Sequence, residues 1–371
     1  MKYTIFVTQE CNLNCLYCYI NKRPLQMSLQ TAQQVIDFIY THTPAGEKIE
    51  IGFFGGEPLL EFEFIKEVVS LIEHYPAYSC YPLEISVVTN GTIFNDEIAE
   101  FLNAHRIGFC LSCDGPPQVQ DRSRCFKNGA GSSSIVENTI RQASRLLPAV
   151  LVNAVITPCS APLLPQTVEY FSSLGLRSVY LNPDFSAPWT KQDAALIGSI
   201  YERLGEIYID SYREGQPLFI SPLDGKIAII LRGGYKAGEK CQMGKKEFAF
   251  TPEGNIFPCE RLVGDGAADS PHCIGQVDQP LLLERMSCQM APAAEINSEC
   301  LSCGVRDYCM NWCGCSNFMS SGYYNRVGPF LCAAERASIQ VALKVFQSLE
   351  EELGPLFYEH LSGKPMLNSL V

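Results

Sequence analysis

Over the first 213 residues, short apolar runs rich in β-branched and aromatic residues alternate with longer stretches whose apolar residues recur every three or four positions. The short runs are typical of buried strands, and the longer stretches are typical of amphipathic helices. The pattern predicts six strands, at Tyr3–Thr8, Lys48–Phe54, Leu83–Val88, Arg106–Ser112, Ala149–Ile156 and Arg177–Asn182. It predicts crossover helices at Leu29–Tyr40, Glu61–Glu73, Asn95–Asn103, Ser134–Leu147 and Leu163–Leu174. This alternation predicts an α/β fold with a parallel sheet.

The composition of the chain changes after about residue 215, where Gly, Pro and Cys become frequent. Ten of the 18 cysteines lie between Cys241 and Cys332, and an apolar-periodic segment at Ala333–Leu353 predicts a closing helix. We therefore predict a first domain at 1–215, a linker at 216–234, a metal-supported domain at 235–335, and a C-terminal helix and tail at 336–371.

Charge and hydropathy exclude some function classes. The formal charge of the 371-residue chain is −12 with no Lys/Arg-rich run, which argues against a nucleic-acid partner. No apolar stretch is long enough to cross a membrane, and the first apolar run is too short for a signal peptide. We expect a cytoplasmic protein, in which so many cysteines are metal ligands or catalytic thiols rather than disulfides.

Polar or glycine-rich loops follow several predicted strands at their carboxyl ends: CNLNCLYC, GGEP, TNGT and CDGP. Ligands bind at that edge of parallel βα architectures, because the loops there converge. The sequence therefore predicts that the chemistry lies at this edge.

Three cysteines, Cys11, Cys15 and Cys18, form C-x-x-x-C-x-x-C directly after the first strand. Three thiolates can hold a 4Fe–4S cluster and leave one iron open to a substrate. With Tyr17 before the last cysteine, the motif resembles the signature of the radical S-adenosylmethionine (SAM) superfamily. That resemblance implies SAM as cosubstrate and a 5'-deoxyadenosyl radical as reactive species.

The loops after later strands support the same resemblance. Residues 55–58 are similar to the family's GGEP loop, which takes the amino group of SAM; Glu57 either holds this loop or accepts from that ammonium. TNGT and SxDGP resemble loops of the peptide-modifying branch, and Arg124 is placed to grip a carboxylate of SAM or substrate, or else to form a structural ion pair with Asp121. The predicted SAM-binding residues are Gly55, Gly56, Glu57, Pro58, Thr89, Asn90, Ser112, Asp114 and Arg124.

A second constellation, C-x2-C-x5-C-x3-C, begins at Cys300. With the flanking cysteines it resembles the seven-cysteine SPASM pattern, which implies two auxiliary 4Fe–4S clusters and three clusters in all. By this resemblance, the outer cluster is held by Cys300, Cys303, Cys309 and Cys332, and the inner cluster by Cys241, Cys259 and Cys313. A four-thiolate zinc site remains the alternative for the C-terminal cysteines.

The SPASM pattern departs from that of sulfatase-maturating members, which carry an extra cysteine shortly after Cys241. The stretch from Cys241 to Glu247 has none. The inner cluster then takes a fourth ligand from Cys273, Cys288 or Cys315, or keeps an open iron.

Two residues are candidate catalytic groups. Glu260 follows Cys259, where sulfatase-maturating members have an aspartate proposed as base; it can take a proton from a substrate thiol or amide, or be a salt-bridged glutamate. Tyr19 follows Cys18 and is a candidate for lining the site. The remaining cysteines Cys80, Cys110, Cys125 and Cys159 are expected to be ordinary buried thiols.

Together these features predict a partial (β/α)6 TIM-type barrel with a C-terminal Cys-rich SPASM domain. The implied function is maturation of a ribosomally made peptide by a thioether or carbon–carbon crosslink, with a reductant such as flavodoxin or ferredoxin. Two alternatives are formylglycine generation in a sulfatase and, from another class, a non-catalytic iron–sulfur electron carrier. No recognition domain is expected before the first strand, so a leader peptide would bind the barrel or SPASM surface, or another protein.

Overall fold

All six strands and all five crossover helices expected from the pattern are present, each displaced by no more than two residues at either end. The computed structural model describes residues 1–236, 239, 243–294, 297–310 and 313–362; the predicted ligand Cys241 and the tail at 363–371 lie outside them. The strands are β1 Lys2–Thr8, β2 Ile49–Gly55, β3 Leu83–Thr89, β4 Gly108–Ser112, β5 Leu151–Ile156, β6 Ser178–Pro183, β7 Phe219–Ile220, β8 Glu247–Phe250, β9 Asn255–Phe257 and β10 Gly275–Gln276.

Helices lie between consecutive strands from β1 to β8, and further helices follow β10. They are α1 Leu29–His42, α2 Phe62–Glu73, α3 Asp96–Ala104, α4 Pro117–Ser123, α5 Ser133–Leu146, α6 Leu164–Ser173, α7 Lys191–Arg213, α8 Ser221–Leu231, α9 Leu283–Ala294, α10 Ser298–Leu301, α11 Gly314–Ser321, α12 Pro329–Leu353 and α13 Pro355–Ser362. The α/β class with a mostly parallel sheet is thereby confirmed. Within the described residues, no helix is long and apolar enough to cross a membrane.

One compact unit comprises Met1–Cys113, Gln120–Val150 and Gln242–Pro292. Its strands lie in the order β10-β9-β8-β1-β2-β3-β4, and β1 pairs in parallel with both β2 and β8. Side chains alternate along β1 because successive residues of a strand face opposite sides. Tyr3 points towards the end of α1, where its hydroxyl lies 2.8 Å from Thr43 Oγ1, so Lys2, Thr4 and Phe6 occupy the other face.

The second compact unit comprises Asp114–Val119, Leu151–Cys241 and Ala293–Val371. Its strands β5, β6 and β7 pair in parallel in that order. Helix α12 packs against α7, and Gly205 permits their close approach, since a Cβ there would lie 2.7 Å from Val341 Cγ1. The segment 216–234, expected to be a linker, contains β7 and α8; the domain boundaries stay a prediction.

Candidate functional site

The loop after β1 carries the first three cysteines. Cys11 is buried, and Cys15 and Cys18 are partly buried. The loop is fixed by backbone hydrogen bonds, including Asn14 N to Cys125 O at 2.7 Å and Leu16 N to Ser123 O at 2.9 Å. Burial raises the pKa of the Cys11 thiol above its ordinary value, so a bound cation is needed to favour its thiolate.

The glycine pair after β2 lies directly against the start of the cysteine loop. Gly56 N donates to Thr8 O at 2.9 Å and Glu57 N donates to Glu10 O at 2.8 Å. A Cβ on Gly56 would lie 2.0 Å from Glu10 O, and one on Gly55, whose φ is +140°, would lie 2.2 Å from Thr8 O. Only glycine therefore permits this backbone contact.

Glu57 is fully buried and joins the GGEP loop to the TNGT loop. Its Oε1 accepts from Thr89 Oγ1 at 2.7 Å and from the backbone N–H of Leu59 at 3.0 Å, and its Oε2 accepts from the backbone N–H of Asn90 at 2.6 Å. Burial raises the pKa of the Glu57 carboxyl, and these hydrogen bonds oppose the rise. Of the two roles considered for Glu57, this geometry favours holding the loop. Pro58 begins the 3-10 turn that follows.

Asn90 connects the TNGT loop to the cysteine loop. Its Nδ2 donates to Asn12 Oδ1 at 2.8 Å and contacts Cys11 Sγ at 3.7 Å. Asn12 in turn donates to Thr92 Oγ1 at 2.8 Å, and Thr92 Oγ1 donates to Asn90 Oδ1 at 2.6 Å. The three motifs are thus held together by one hydrogen-bond network. Sequence reasoning missed Asn12, because nothing in a single sequence distinguishes it from another polar loop residue.

Arg124 is buried, and its Nη1 donates to the hydroxyl of Tyr17 at 2.7 Å. Asp121, its suggested ion-pair partner, accepts from the backbone N–H and hydroxyl of Ser133 at 2.8 and 2.6 Å, at the start of α5. The structure therefore attaches Arg124 to the residue that precedes Cys18. This contact adds a guanidinium to the surroundings of the cysteine loop.

The SxDGP motif contains a partly buried Ser112 and a buried Asp114. Asp114 Oδ1 accepts from Val155 N at 3.1 Å, so this carboxylate fixes the adjoining strand β5. A Cβ on Gly115, whose φ is +139°, would lie 2.6 Å from Thr167 Oγ1.

Glu260 lies at the other face of β1. Its Oε2 accepts from Lys2 Nζ at 3.0 Å and Thr4 Oγ1 at 2.9 Å, and Lys2 also pairs with Glu247 at 3.0 Å. Burial alone would raise the pKa of the Glu260 carboxyl, but Lys2 and the hydrogen bonds hold it below its ordinary value. Tyr19 packs against a buried cluster that includes Phe6. Burial raises the pKa of its phenol, and the Glu260 carboxylate raises it further. The Glu260 carboxylate thus lies within electrostatic range of the Tyr19 phenol.

The C-terminal cysteines of the described residues differ in burial. Cys300 and Cys309 are buried, Cys303 and Cys332 are partly buried, and Cys313 directly precedes α11. Burial raises the pKa of the Cys332 thiol, and nearby Cys303 is among the groups that raise it further. Cys259, buried in the other unit, immediately precedes the 3-10 turn Glu260–Leu262.

The candidates for a fourth inner ligand differ in their surroundings. Cys315 Sγ lies 3.4 Å from Cys313 Sγ, Cys273 is buried with its Sγ 3.3 Å from Gly275 O, and Cys288 is exposed. The expectation of ordinary buried thiols is wrong for Cys80 and Cys159, which are exposed because they lie in surface turns between elements.

The donor set fits iron–sulfur clusters. Each thiolate of a 4Fe–4S cluster binds its own iron, so the ligands need not converge on one point. No three Cys, His, Asp or Glu side chains of the described part of the chain converge on a single-ion site.

Comparison with known proteins agrees with this geometry. Residues 5–159 match the family model of the radical SAM superfamily. The chain is 33% identical over 274 residues to the uncharacterized protein MJ0907 of Methanocaldococcus jannaschii, covering 71% of this chain and 86% of that protein. It is 22% identical to a cysteine-type anaerobic sulfatase-maturating enzyme of Clostridium novyi, over 70% of this chain and 72% of the enzyme.

Solved structures share the fold. Native anSMEcpe with bound AdoMet and Cp18Cys peptide superposes with a TM-score of 0.79 at 18% identity, over 95% of this chain and 99% of that one. Streptococcus suis SuiB bound to the precursor peptide SuiA gives a TM-score of 0.63 at 14% identity, over 89% of this chain and 75% of SuiB. With the family match and the 33% identical relative, the likeness shows that this chain belongs to the radical SAM superfamily.

Proposed function

We propose that this enzyme cleaves SAM at a cluster held by Cys11, Cys15 and Cys18 and installs a thioether or carbon–carbon crosslink in a ribosomally made peptide. The observation that carries the proposal is the hydrogen-bond network that locks the cysteine loop to the GGEP and TNGT loops. When bound, the cluster and SAM supply a 5'-deoxyadenosyl radical. The chain itself orients these groups and excludes water from them.

In this proposal, the GGEP and TNGT loops form one preorganised surface for SAM. The internal hydrogen bonds of Glu57 fix the backbone of both loops before the ligand arrives, which lowers the entropy lost on binding. Direct SAM contacts by Thr89, Asn90, Ser112, Asp114 and Arg124 stay predictions.

Glu260 is proposed to accept a proton from a substrate thiol or amide. Lys2 and Thr4 both bind its Oε2, and among the described residues Oε1 has no hydrogen-bond partner. One carboxylate oxygen is thus anchored while the other remains available to a substrate. Tyr19, whose phenol lies within electrostatic range of Glu260, is proposed to line the same site.

A peptide substrate is supported by the two solved structures, each of which holds a peptide. Crosslinking is favoured over formylglycine formation by the missing cysteine after Cys241. Glu247, at the end of that stretch, forms an ion pair with Lys2. Sulfatase maturation remains the second candidate, because a carboxylate follows Cys259 as in the sulfatase-maturating members and because the Clostridium novyi relative is such an enzyme.

Two auxiliary 4Fe–4S clusters, a flavodoxin or ferredoxin reductant and a cytoplasmic location complete the proposal. The spacing of the C-terminal cysteines supports the clusters, and an oxygen-sensitive metal content of this kind suits a reducing compartment.

The test is anaerobic turnover of the reconstituted enzyme with SAM, dithionite and candidate peptides taken from short reading frames that neighbour its gene. We expect 5'-deoxyadenosine together with a peptide that has lost two hydrogen atoms per crosslink. A peptide or sulfatase segment that instead gains a hydrazine-reactive aldehyde supports the second candidate. If fully iron-loaded enzyme produces no 5'-deoxyadenosine, both crosslinking and formylglycine formation are contradicted, and the electron-carrier alternative remains.

A further inference from the structure

Helix α8 contributes a buried lysine whose partner lies on the closing helix α12. The side chain of Lys226 is 4% exposed, and its Nζ donates to Glu335 Oε2 at 2.6 Å. Lysine is almost never buried unless it is paired. The pair therefore fixes two helices that are distant in sequence.

The same pair binds the chain on both sides of Cys309. Lys226 Nζ donates to the backbone oxygen of Tyr308 at 3.1 Å, and the backbone N–H of Met310 donates to Glu335 Oε2 at 2.8 Å. Cys309 itself is buried. The pair thus holds the peptide groups that flank this thiol.

Glu335 also lies one helical turn after Cys332 on α12. A loop cysteine and a helix cysteine of the predicted outer cluster are therefore connected through one carboxylate. The segment between Cys300 and Cys309 has only short turns, such as Cys303 N to Cys300 O at 3.2 Å and Cys309 N to Arg306 O at 3.3 Å. Such turns alone do not fix the distance between Cys309 and Cys332 on α12.

We propose that Lys226 and Glu335 are positioning residues that set the spacing of Cys309 and Cys332 for the outer auxiliary cluster. The inference rests on the proposed auxiliary clusters. A 4Fe–4S cluster needs its thiolates at fixed separations, and partners of ligating groups tune both metal affinity and reduction potential.

The test uses full-length protein in which Cys11, Cys15 and Cys18 are replaced by alanine, so that all remaining iron is auxiliary. In this parent, Lys226→Met removes the charge and both hydrogen bonds at nearly constant side-chain length. We expect retention of auxiliary iron against a chelator to weaken on the order of 10- to 100-fold. We also expect a shift in the midpoint potential of the auxiliary electron paramagnetic resonance signal.

Lys344→Met is the matched control, because Lys344 pairs with Glu202 at 2.9 Å from the same helix α12 but at an exposed site. It should behave as the parent. The double variant Lys226→Met with Glu335→Gln leaves no unpaired buried charge, so its thermal unfolding should recover relative to Lys226→Met while iron retention stays weak. If a folded double variant retains auxiliary iron as the parent does and has the parent's midpoint potential, the positioning role is overturned, whereas the auxiliary clusters are not. A parent without auxiliary iron would overturn the auxiliary clusters as well.

Discussion

Replacing Glu57 by glutamine tests whether the buried carboxylate holds the GGEP and TNGT loops together. In the wild-type protein, the backbone N–H of Asn90 donates to Glu57 Oε2 at 2.6 Å. Glutamine keeps an oxygen that accepts from Thr89 Oγ1 and Leu59 N, but it places an NH2 group opposite the Asn90 N–H, so this hydrogen bond is lost. A hydrogen bond to a charged group contributes about 1.5–3 kcal/mol, so we expect the loops to lose about 2 kcal/mol. Alanine removes all three bonds, which do not add independently, and should cost about 4 kcal/mol.

The assay is hydrogen–deuterium exchange of the peptides that cover residues 55–60 and 86–92. Local opening governs exchange, so a loss of about 2 kcal/mol accelerates it about 30-fold and about 4 kcal/mol accelerates it several hundred-fold, roughly tenfold for each 1.4 kcal/mol. Glu63→Gln is the matched control, because Glu63 is 77% exposed shortly after the same loop and forms a surface ion pair with Lys66. Unchanged exchange of both peptides in Glu57→Gln would refute the loop-holding role.

Three further substitutions probe other parts of the site. Gly56→Ala should lower cluster occupancy and SAM cleavage, because its Cβ would lie 2.0 Å from Glu10 O; normal iron content with normal cleavage would contradict that contact. Gly198→Ala is its control, because Gly198 lies in helix α7 with nothing within 4 Å of a Cβ. Glu260→Gln should retain uncoupled 5'-deoxyadenosine production but lose modified peptide, and equal product yield by mass spectrometry would remove Glu260 from the mechanism. Cys303→Ala should lose about four irons per chain and substrate modification, whereas an unaltered product yield would show that the outer cluster is dispensable.

The strands and crossover helices were predictable because each depends on a local apolar pattern that the fold respects. The two-residue error at the start of β4 has a local cause: Arg106 adopts a left-handed conformation with φ of 53°, and Ile107 N donates back to Leu102 O at 2.8 Å. Residues 106 and 107 therefore form the turn that follows α3 instead of beginning the strand.

The other features of the fold and the site could not be predicted, because they depend on contacts between residues far apart in the sequence. Strand β8 has only four residues in a Gly-, Pro- and Cys-rich region, and it forms because the edge of β1 is available to it. Lys2 and Glu260 are 258 residues apart, so no periodicity connects them. Lys226 lies in α8, whose apolar residues occupy all sides of the helix. The segment therefore lacks an amphipathic pattern, and its sequence predicts a linker instead.

Production of 5'-deoxyadenosine is the most direct test of the account. Anaerobically prepared enzyme with its iron counted is reduced with dithionite in the presence of SAM, beside a Cys15→Ala variant. The account predicts 5'-deoxyadenosine from the first protein, and none from the variant even though the variant keeps its auxiliary iron. Iron-loaded wild-type enzyme that never cleaves SAM, or cleavage that persists without Cys15, would contradict it.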